Sequence, residues 1–98
     1  MLMDATIPPP KCKDLKNIPE HQELFTITME ECAEVIQQCS KMIRFGGNTN
    51  RFHLEAEIGD LLAMFDLMHE YDIIDLNNME TRKEQKRSKL KVYSHLKV

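Results

Sequence analysis

Residues 28–47, TMEECAEVIQQCSKMIRFGG, decide the fold of this chain. Apolar residues recur in this stretch at helical spacing: Ala33, Val35, Ile36, Met42 and Ile43. Thr28 followed three residues later by Glu31 is typical of a capping box at a helix start. The pair Gly46-Gly47 is typical of a helix end, where glycine supplies the cap. The stretch therefore predicts a helix that begins at Thr28 and ends at the glycines.

Two more helices are predicted further along the chain. Residues 48–50 form a polar turn, and residues 51–70 then carry apolar side chains around most of a helix circumference, which indicates burial by more than one neighbour. Asp75 caps a third helix that reaches into the nineties. No segment alternates with the period of a strand. We therefore expect an all-α fold, a small antiparallel helical bundle that oligomerisation completes, because 98 residues bury a limited core.

The chain divides into a leader and one domain. We expect residues 1–20 to form an extended leader, because Ile7-Pro8-Pro9-Pro10 favours polyproline geometry and Pro19 stops any helix before it. Residues 21–98 form the helical domain. The longest apolar run, residues 61–65, is far shorter than the roughly 18 residues of a membrane span. The first residues also lack the pattern of a signal peptide. Three cysteines without metal-ligand spacing complete the expectation of a cytoplasmic protein with reduced thiols.

Charge is distributed unevenly along the sequence. The formal net charge is −3, yet residues 1–81 carry 15 acidic and 6 basic side chains, whereas residues 82–98 carry 1 acidic and 7 basic. This asymmetry indicates an anionic ligand, a nucleic acid or a charge-complementary partner.

Four acidic residues occupy matching positions on the first two helices. Glu31 and Glu34 are three residues apart, as are Glu57 and Asp60. At about 100° per residue each pair shares an arc with apolar residues, so both pairs are predicted to face the bundle interior. Buried carboxylates need compensating positive charge, and oxygen ligands of this kind suit Mg²⁺ or Mn²⁺. Glu30 is a further ligand, a water-orienting base or only a first-turn charge.

These acids stand in a recognisable signature. Glu30-Glu31-Cys32-Ala33-Glu34, followed after 22 residues by Glu57-Ile58-Gly59-Asp60-Leu61-Leu62, resembles the E-x-x-E…E-x-x-D motif of MazG-like nucleotide pyrophosphohydrolases, in the all-α NTP pyrophosphatase superfamily. The resemblance covers about residues 26–93. It implies that the four acids bind Mg²⁺, that nucleoside triphosphates are hydrolysed to monophosphate and pyrophosphate, and that the subunits form dimers or tetramers. The chain departs from the two-repeat form and contains no Trp, and Gly59 argues against the phosphoribosyl-ATP pyrophosphohydrolase branch.

A triphosphate site also needs cations. Lys41 projects from nearly the same side of the first helix as the acids. Lys83 and Lys86 fall on the apolar stripe of the third helix, so they either reach the phosphates or pack their stems while their ammonium groups stay in water. Phe45 and Tyr93 are candidates for stacking on a base.

The sequence therefore favours a Mg²⁺-dependent pyrophosphohydrolase that acts on (d)NTPs as a homodimer or homotetramer. In this hypothesis Glu30 or a metal-bound acid orients the attacking water, and the three lysines neutralise the leaving pyrophosphate. The alternative is a non-enzymatic helical module whose basic C-terminal helix docks a nucleic acid or an acidic partner. The acidic body disfavours nucleic acid, and a docking module has no use for four buried carboxylates.

Overall fold

The computed structural model describes residues 18–98, which fold into three α-helices: α1 (Pro19–Arg44), α2 (Asn48–Glu70) and α3 (Leu76–Tyr93). The predicted all-α class is confirmed, and no strand occurs within this part of the chain. The polyproline stretch of the predicted leader and Cys12 lie outside the described residues. The last two residues of that leader, Pro19 and Glu20, belong to α1.

The predicted start of α1 is wrong. The helix begins at Pro19, nine residues before Thr28, and proline occupies its first turn. Proline is well suited to this position because its missing N–H would have no partner there and its fixed φ already matches the helix. Thr28 lies inside the helix, where its hydroxyl donates to the Leu24 carbonyl at 2.7 Å. The Thr28–Glu31 spacing therefore imitates a capping box without forming one.

The turns between the helices agree with the sequence more closely. Gly46 and Gly47 have positive φ angles of 62° and 89°, which side chains with a Cβ rarely adopt. The Gly46 N–H donates to the Met42 carbonyl at 3.0 Å and so ends α1. The helix α2 begins at Asn48, three residues earlier than predicted. Asp75 caps α3 as predicted, since its carboxylate accepts from the Asn77 N–H at 2.8 Å.

The core lies between α1 and α2. These two helices, joined by the short turn at residues 45–47, pack against each other as an antiparallel hairpin. Within residues 18–98 the buried apolar side chains are Leu24, Met64 and Met68. Partly buried residues from both helices and from the turn after α2 surround them: Phe25, Ile27, Phe65, Ile73 and Ile74.

The third helix stands apart from this core. No residue of α3 is buried, and α3 packs extensively on neither α1 nor α2. The helix α2 therefore has α1 as its one extensive neighbour within the described residues, where the sequence predicted more than one. No helix in residues 18–98 combines the length and apolar character needed to cross a bilayer.

Candidate metal centre

The α1–α2 hairpin brings the two acid pairs together. Glu31 on α1 and Glu57 and Asp60 on α2 each place one carboxylate oxygen within 4.8 Å of the other two. Glu34 lies against Glu57, within hydrogen-bonding reach of its carboxyl group. The cluster forms because residues three apart on a helix share a side, and because the glycine turn folds α2 back along α1. We call these four residues the acid cluster.

The acid cluster lies at the rim of the helix seam rather than inside it. Glu31, Glu34 and Glu57 are half-buried, and Asp60 is exposed. This corrects the expectation that both pairs face the interior. Two helices form only one seam, and residues rotated away from its centre, as Glu34 and Asp60 are, reach solvent unless a third helix covers them.

Desolvation, followed by carboxylate repulsion, raises two pKa values in the acid cluster. The pKa of Glu31 is raised by desolvation first, then by the charges of Asp60, Glu34 and Glu30 and by a hydrogen bond with the Asp60 side chain. The pKa of Glu57 is raised by desolvation first, then by the charges of Glu34, Asp60 and Glu31 and by a hydrogen bond with Glu34. Each of these carboxyls is therefore coupled most closely to one on the facing helix, because these hydrogen bonds run between α1 and α2.

The acid cluster lacks a compensating cation among the described residues. The ion pairs in that part of the chain, Arg51–Glu55 at 3.4 Å and Lys83–Glu80 at 2.8 Å, lie outside it. The Glu31 Oε2 atom is shielded from solvent and has no hydrogen-bond partner. The cluster thus combines unbalanced negative charge with an unsatisfied oxygen atom, and a cation would relieve both.

The acid cluster fits a hard divalent cation. Such ions bind oxygen at roughly 2.0–2.6 Å, so two ligands of one ion stand at most about 4–5 Å apart. The 4.8 Å limit among Glu31, Glu57 and Asp60 meets this requirement. The donor set consists of carboxylates alone, which favours Mg²⁺, Mn²⁺ or Ca²⁺ over softer metals.

The structure separates the predicted phosphate-binding cations. Lys41 is half-buried on α1, two turns after Glu34 and on nearly the same side of that helix. Lys83 and Lys86 are exposed on α3, and the Lys83 ammonium donates to Glu80 at 2.8 Å. The expectation that these two lysines face the core is therefore not met within the protomer. The helix α3 does not bring them, or the 84% exposed Tyr93, to the acid cluster.

An apolar groove continues from the acid cluster along the hairpin. It has a volume of about 160 Å³ and is lined by Glu20, Glu23, Leu24, Ile27, Met64, Leu67 and Tyr71. Ile27 lies one helical turn before Glu31, and Met64 lies one turn after Asp60. This groove is not predicted from the sequence, although Ile27 and Leu67 lie on the same arcs as the acids.

The far end of the groove is held by polar contacts. The Tyr71 hydroxyl donates to the Glu20 carboxylate at 3.5 Å, and the His21 ring meets the Tyr71 ring edge-on at 5.7 Å. These contacts join the start of α1 to the end of α2 and so fix the position of the aromatic ring that closes the groove.

Comparison of the chain with protein-family models, with curated proteins and with solved structures finds no match in any of the three.

Proposed function

We propose that the protein is a Mg²⁺-dependent nucleoside triphosphate pyrophosphohydrolase that cleaves (d)NTPs to (d)NMPs and pyrophosphate. The observation that carries the proposal is the convergence of Glu31, Glu57 and Asp60, whose oxygens lie within 4.8 Å of one another. The resemblance of the acid signature to MazG-like enzymes supports the choice of nucleotides as substrates. These substrates are soluble molecules of the cytoplasm, where we also place the protein.

The acid cluster would hold the metal in this enzyme, through Glu31, Glu34, Glu57 and Asp60. When bound there, Mg²⁺ supplies a Lewis acid that binds phosphate oxygens and lowers the pKa of a coordinated water. Mn²⁺ fits the same donors. The Glu31 Oε2 atom, which is shielded and unpaired, is the oxygen with the most to gain from a cation.

The residues around the acid cluster have separate tasks. Glu30 is exposed beside Glu31, where it orients the attacking water or accepts its proton. Lys41 neutralises charge on the leaving pyrophosphate. Lys83, Lys86 and Tyr93 contact the substrate only in an assembly that brings an α3 helix to an acid cluster, and we propose a homodimer or homotetramer for this reason.

The apolar groove suits the nucleoside part of the substrate. It begins one helical turn from the acid cluster, so a nucleotide whose phosphates lie at the acids extends its base and sugar toward Ile27, Met64 and Leu67. These side chains offer apolar contact to a base, and the Glu20 and Glu23 carboxylates at the rim accept hydrogen bonds from amino groups or sugar hydroxyls.

Pyrophosphate release from a panel of NTPs and dNTPs in the presence of Mg²⁺ tests the proposed activity. We expect turnover of at least one nucleotide and its loss in Glu34→Gln, which keeps the side-chain size but removes the charge. Asp66→Asn is the matched control, because Asp66 is exposed on α2 and points away from the acid cluster. No turnover of any nucleotide, or full activity in Glu34→Gln, would reject the proposal.

The exposure of α3 favours one alternative function, a helical module that docks a nucleic acid or an acidic partner. The helix presents six basic side chains to solvent: Arg82, Lys83, Lys86, Arg87, Lys89 and Lys91. Docking through these residues predicts binding of a DNA probe that weakens steeply with salt. It also predicts that Mg²⁺ leaves the melting temperature unchanged, since the acid cluster has no part in such binding.

A further inference from the structure

The seam between α1 and α2 contains a buried side-chain amide whose oxygen has no partner. Within residues 18–98 the buried polar side chains are Thr28 and Gln38, exposed by 9% and 5%. The Thr28 hydroxyl donates to the Leu24 carbonyl, whereas the Gln38 Oε1 atom is shielded from solvent and accepts no hydrogen bond. A buried acceptor without a donor lowers stability, so the amide at this position needs an explanation that packing does not give.

Gln38 is the neighbour of the acid cluster along α1. It follows Glu34 by one helical turn and Glu31 by two, on the arc that faces α2. Long side chains on a helix lean toward its N-terminus, because the other rotamer would collide with the preceding turn. We therefore expect the Gln38 amide to extend toward the acids. The Glu31 Oε2 atom within the acid cluster is likewise shielded and unpaired.

The facing helix supplies no donor to this oxygen. Hydrogen bonds between Glu31 and Asp60 and between Glu34 and Glu57 set the antiparallel register, which places residues 53 and 54 opposite Gln38. The residue at 54 is a leucine, without a polar group in its side chain, and the histidine at 53 is exposed. Within the described residues the Gln38 Oε1 atom thus finds no partner, and a bound molecule is left to provide the donor.

We propose that Gln38 is a positioning residue of the metal centre, a role that rests on the proposed metal-dependent function. Its Oε1 atom accepts a hydrogen bond from a water molecule carried by the cation at the acid cluster. Cations such as Mg²⁺ retain several waters when carboxylates bind them, and each of these waters needs an acceptor.

Contact through a water suits the position of Gln38 better than direct binding. The seven residues from Glu31 to Gln38 span about 10.5 Å of helix. Two ligands of one ion stand at most about 4–5 Å apart, whereas a water extends the reach of the ion by the length of a hydrogen bond.

A neutral acceptor also suits this position better than another carboxylate. The charges of Glu34, Asp60 and Glu31 already contribute, after desolvation, to the raised pKa of Glu57. An amide offers an oxygen to a water without adding to that repulsion. Gln38 lies along α1 between the acids and Lys41, so the amide borders the space in which phosphate groups would meet that lysine.

Gln38→Met tests the proposal on the full chain, because methionine has a similar length and no oxygen. Without a cation the variant should melt at or above the Tm of the wild type, since no buried acceptor is left unsatisfied. The rise in Tm across a titration with MgCl₂ or MnCl₂ should show an apparent Kd raised by about 10–100-fold, the usual loss when a partner of a metal-bound group is removed. Gln37→Met is the matched control, because it removes the same amide from the neighbouring exposed position.

Gln38→Glu separates the loss of an acceptor from a change in packing. It adds a carboxylate beside the acid cluster and should melt below the wild type without a cation, yet it should recover the response to Mg²⁺ or Mn²⁺. Failure of that recovery overturns the role of Gln38.

Two results for Gln38→Met also overturn this role and leave the proposed function standing. One is cation binding as tight as in Gln37→Met. The other is a Tm well below that of the wild type without a cation, because the amide would then stabilise the protomer itself. A wild type that gains nothing from either cation overturns both the role of Gln38 and the proposed metal centre.

Discussion

Replacing Glu57 with Gln is expected to raise the melting temperature without a divalent cation and to lower it, relative to the wild type, when the cation is present. Desolvation, followed by the charges of Glu34, Asp60 and Glu31, raises the pKa of Glu57 in the folded protein. Four carboxylates make six repelling pairs, and the substitution removes the three that include Glu57. Without a divalent cation we therefore expect Glu57→Gln to melt at a higher temperature than the wild type near neutral pH.

With the cation present, the order of stability should reverse. A ligand at 100 times its Kd stabilises the folded state by about 2.7 kcal/mol, which raises Tm by about 11–22 °C in a chain of this size. Loss of one ligand that weakens binding by about 100-fold leaves about 0.4 kcal/mol at the same concentration, or about 2–3 °C. The gain in Tm on adding Mg²⁺ or Mn²⁺ should therefore almost disappear in Glu57→Gln.

Thermal melts followed by circular dichroism, with and without each cation, measure both effects. Asp66→Asn is the control for a lost carboxylate on α2 outside the acid cluster, and its cation response should match that of the wild type. A wild type that gains nothing from either cation would refute the reasoning. So would a Glu57→Gln variant that gains as much as the wild type, since the acid cluster would then not be the binding site.

Three other variants probe neighbouring features. The raised pKa values of Glu31 and Glu57 favour the folded state below their ordinary pKa of 4.5, and this contribution is lost as pH rises through the raised values. The Tm of the double variant Glu31→Gln/Glu57→Gln should therefore exceed that of the cation-free wild type by an amount that grows from pH 4.5 toward neutrality. Leu24→Ala empties a site that is 5% exposed and should cost about 2–5 kcal/mol in urea unfolding. Gly46→Ala forces a side chain to φ 62° and should lower Tm by about 4–8 °C, for a cost of about 1 kcal/mol.

Local signals in the sequence predict most helix ends, because they act within a few residues. Gly46-Gly47 ends α1 and Asp75 caps α3, since each supplies a backbone conformation or an acceptor that the neighbouring turn needs. The start of α1 is wrongly predicted because Thr28 has another way to satisfy its hydroxyl, through the Leu24 carbonyl four residues earlier. Pro19 is ambiguous in the same manner, since proline is compatible with either the end or the first turn of a helix.

The meeting of the acids follows from helical period and the position of the turn, both of which the sequence contains. The placement of α3 does not follow, because an apolar stripe shows that a helix needs cover but not which surface provides it. Lys83 and Lys86 are accordingly exposed in the protomer, where the stripe pattern predicted a core-facing position. The groove beside the acid cluster is not predicted for a related reason, since its lining comes from the start of α1 and the end of α2, which are far apart in the sequence.

Two apolar seams of α1 lie one residue apart, and their spacing bears on how this chain can change during evolution. The first, which faces α2, includes Leu24, Val35 and Met42, and the second consists of Cys32, Ile36, Cys39 and Ile43. Deleting one residue of α1 just before Glu31 rotates everything after it by about 100° and moves the second seam into the positions that face α2. Both seams keep the same intervals, so a helical hairpin remains possible after such a change. Glu31 and Glu34, however, would turn away from Glu57 and Asp60. The register of α1 is therefore held more tightly by its carboxylates than by its packing, and length changes in this helix would separate folding from any function of the acid cluster.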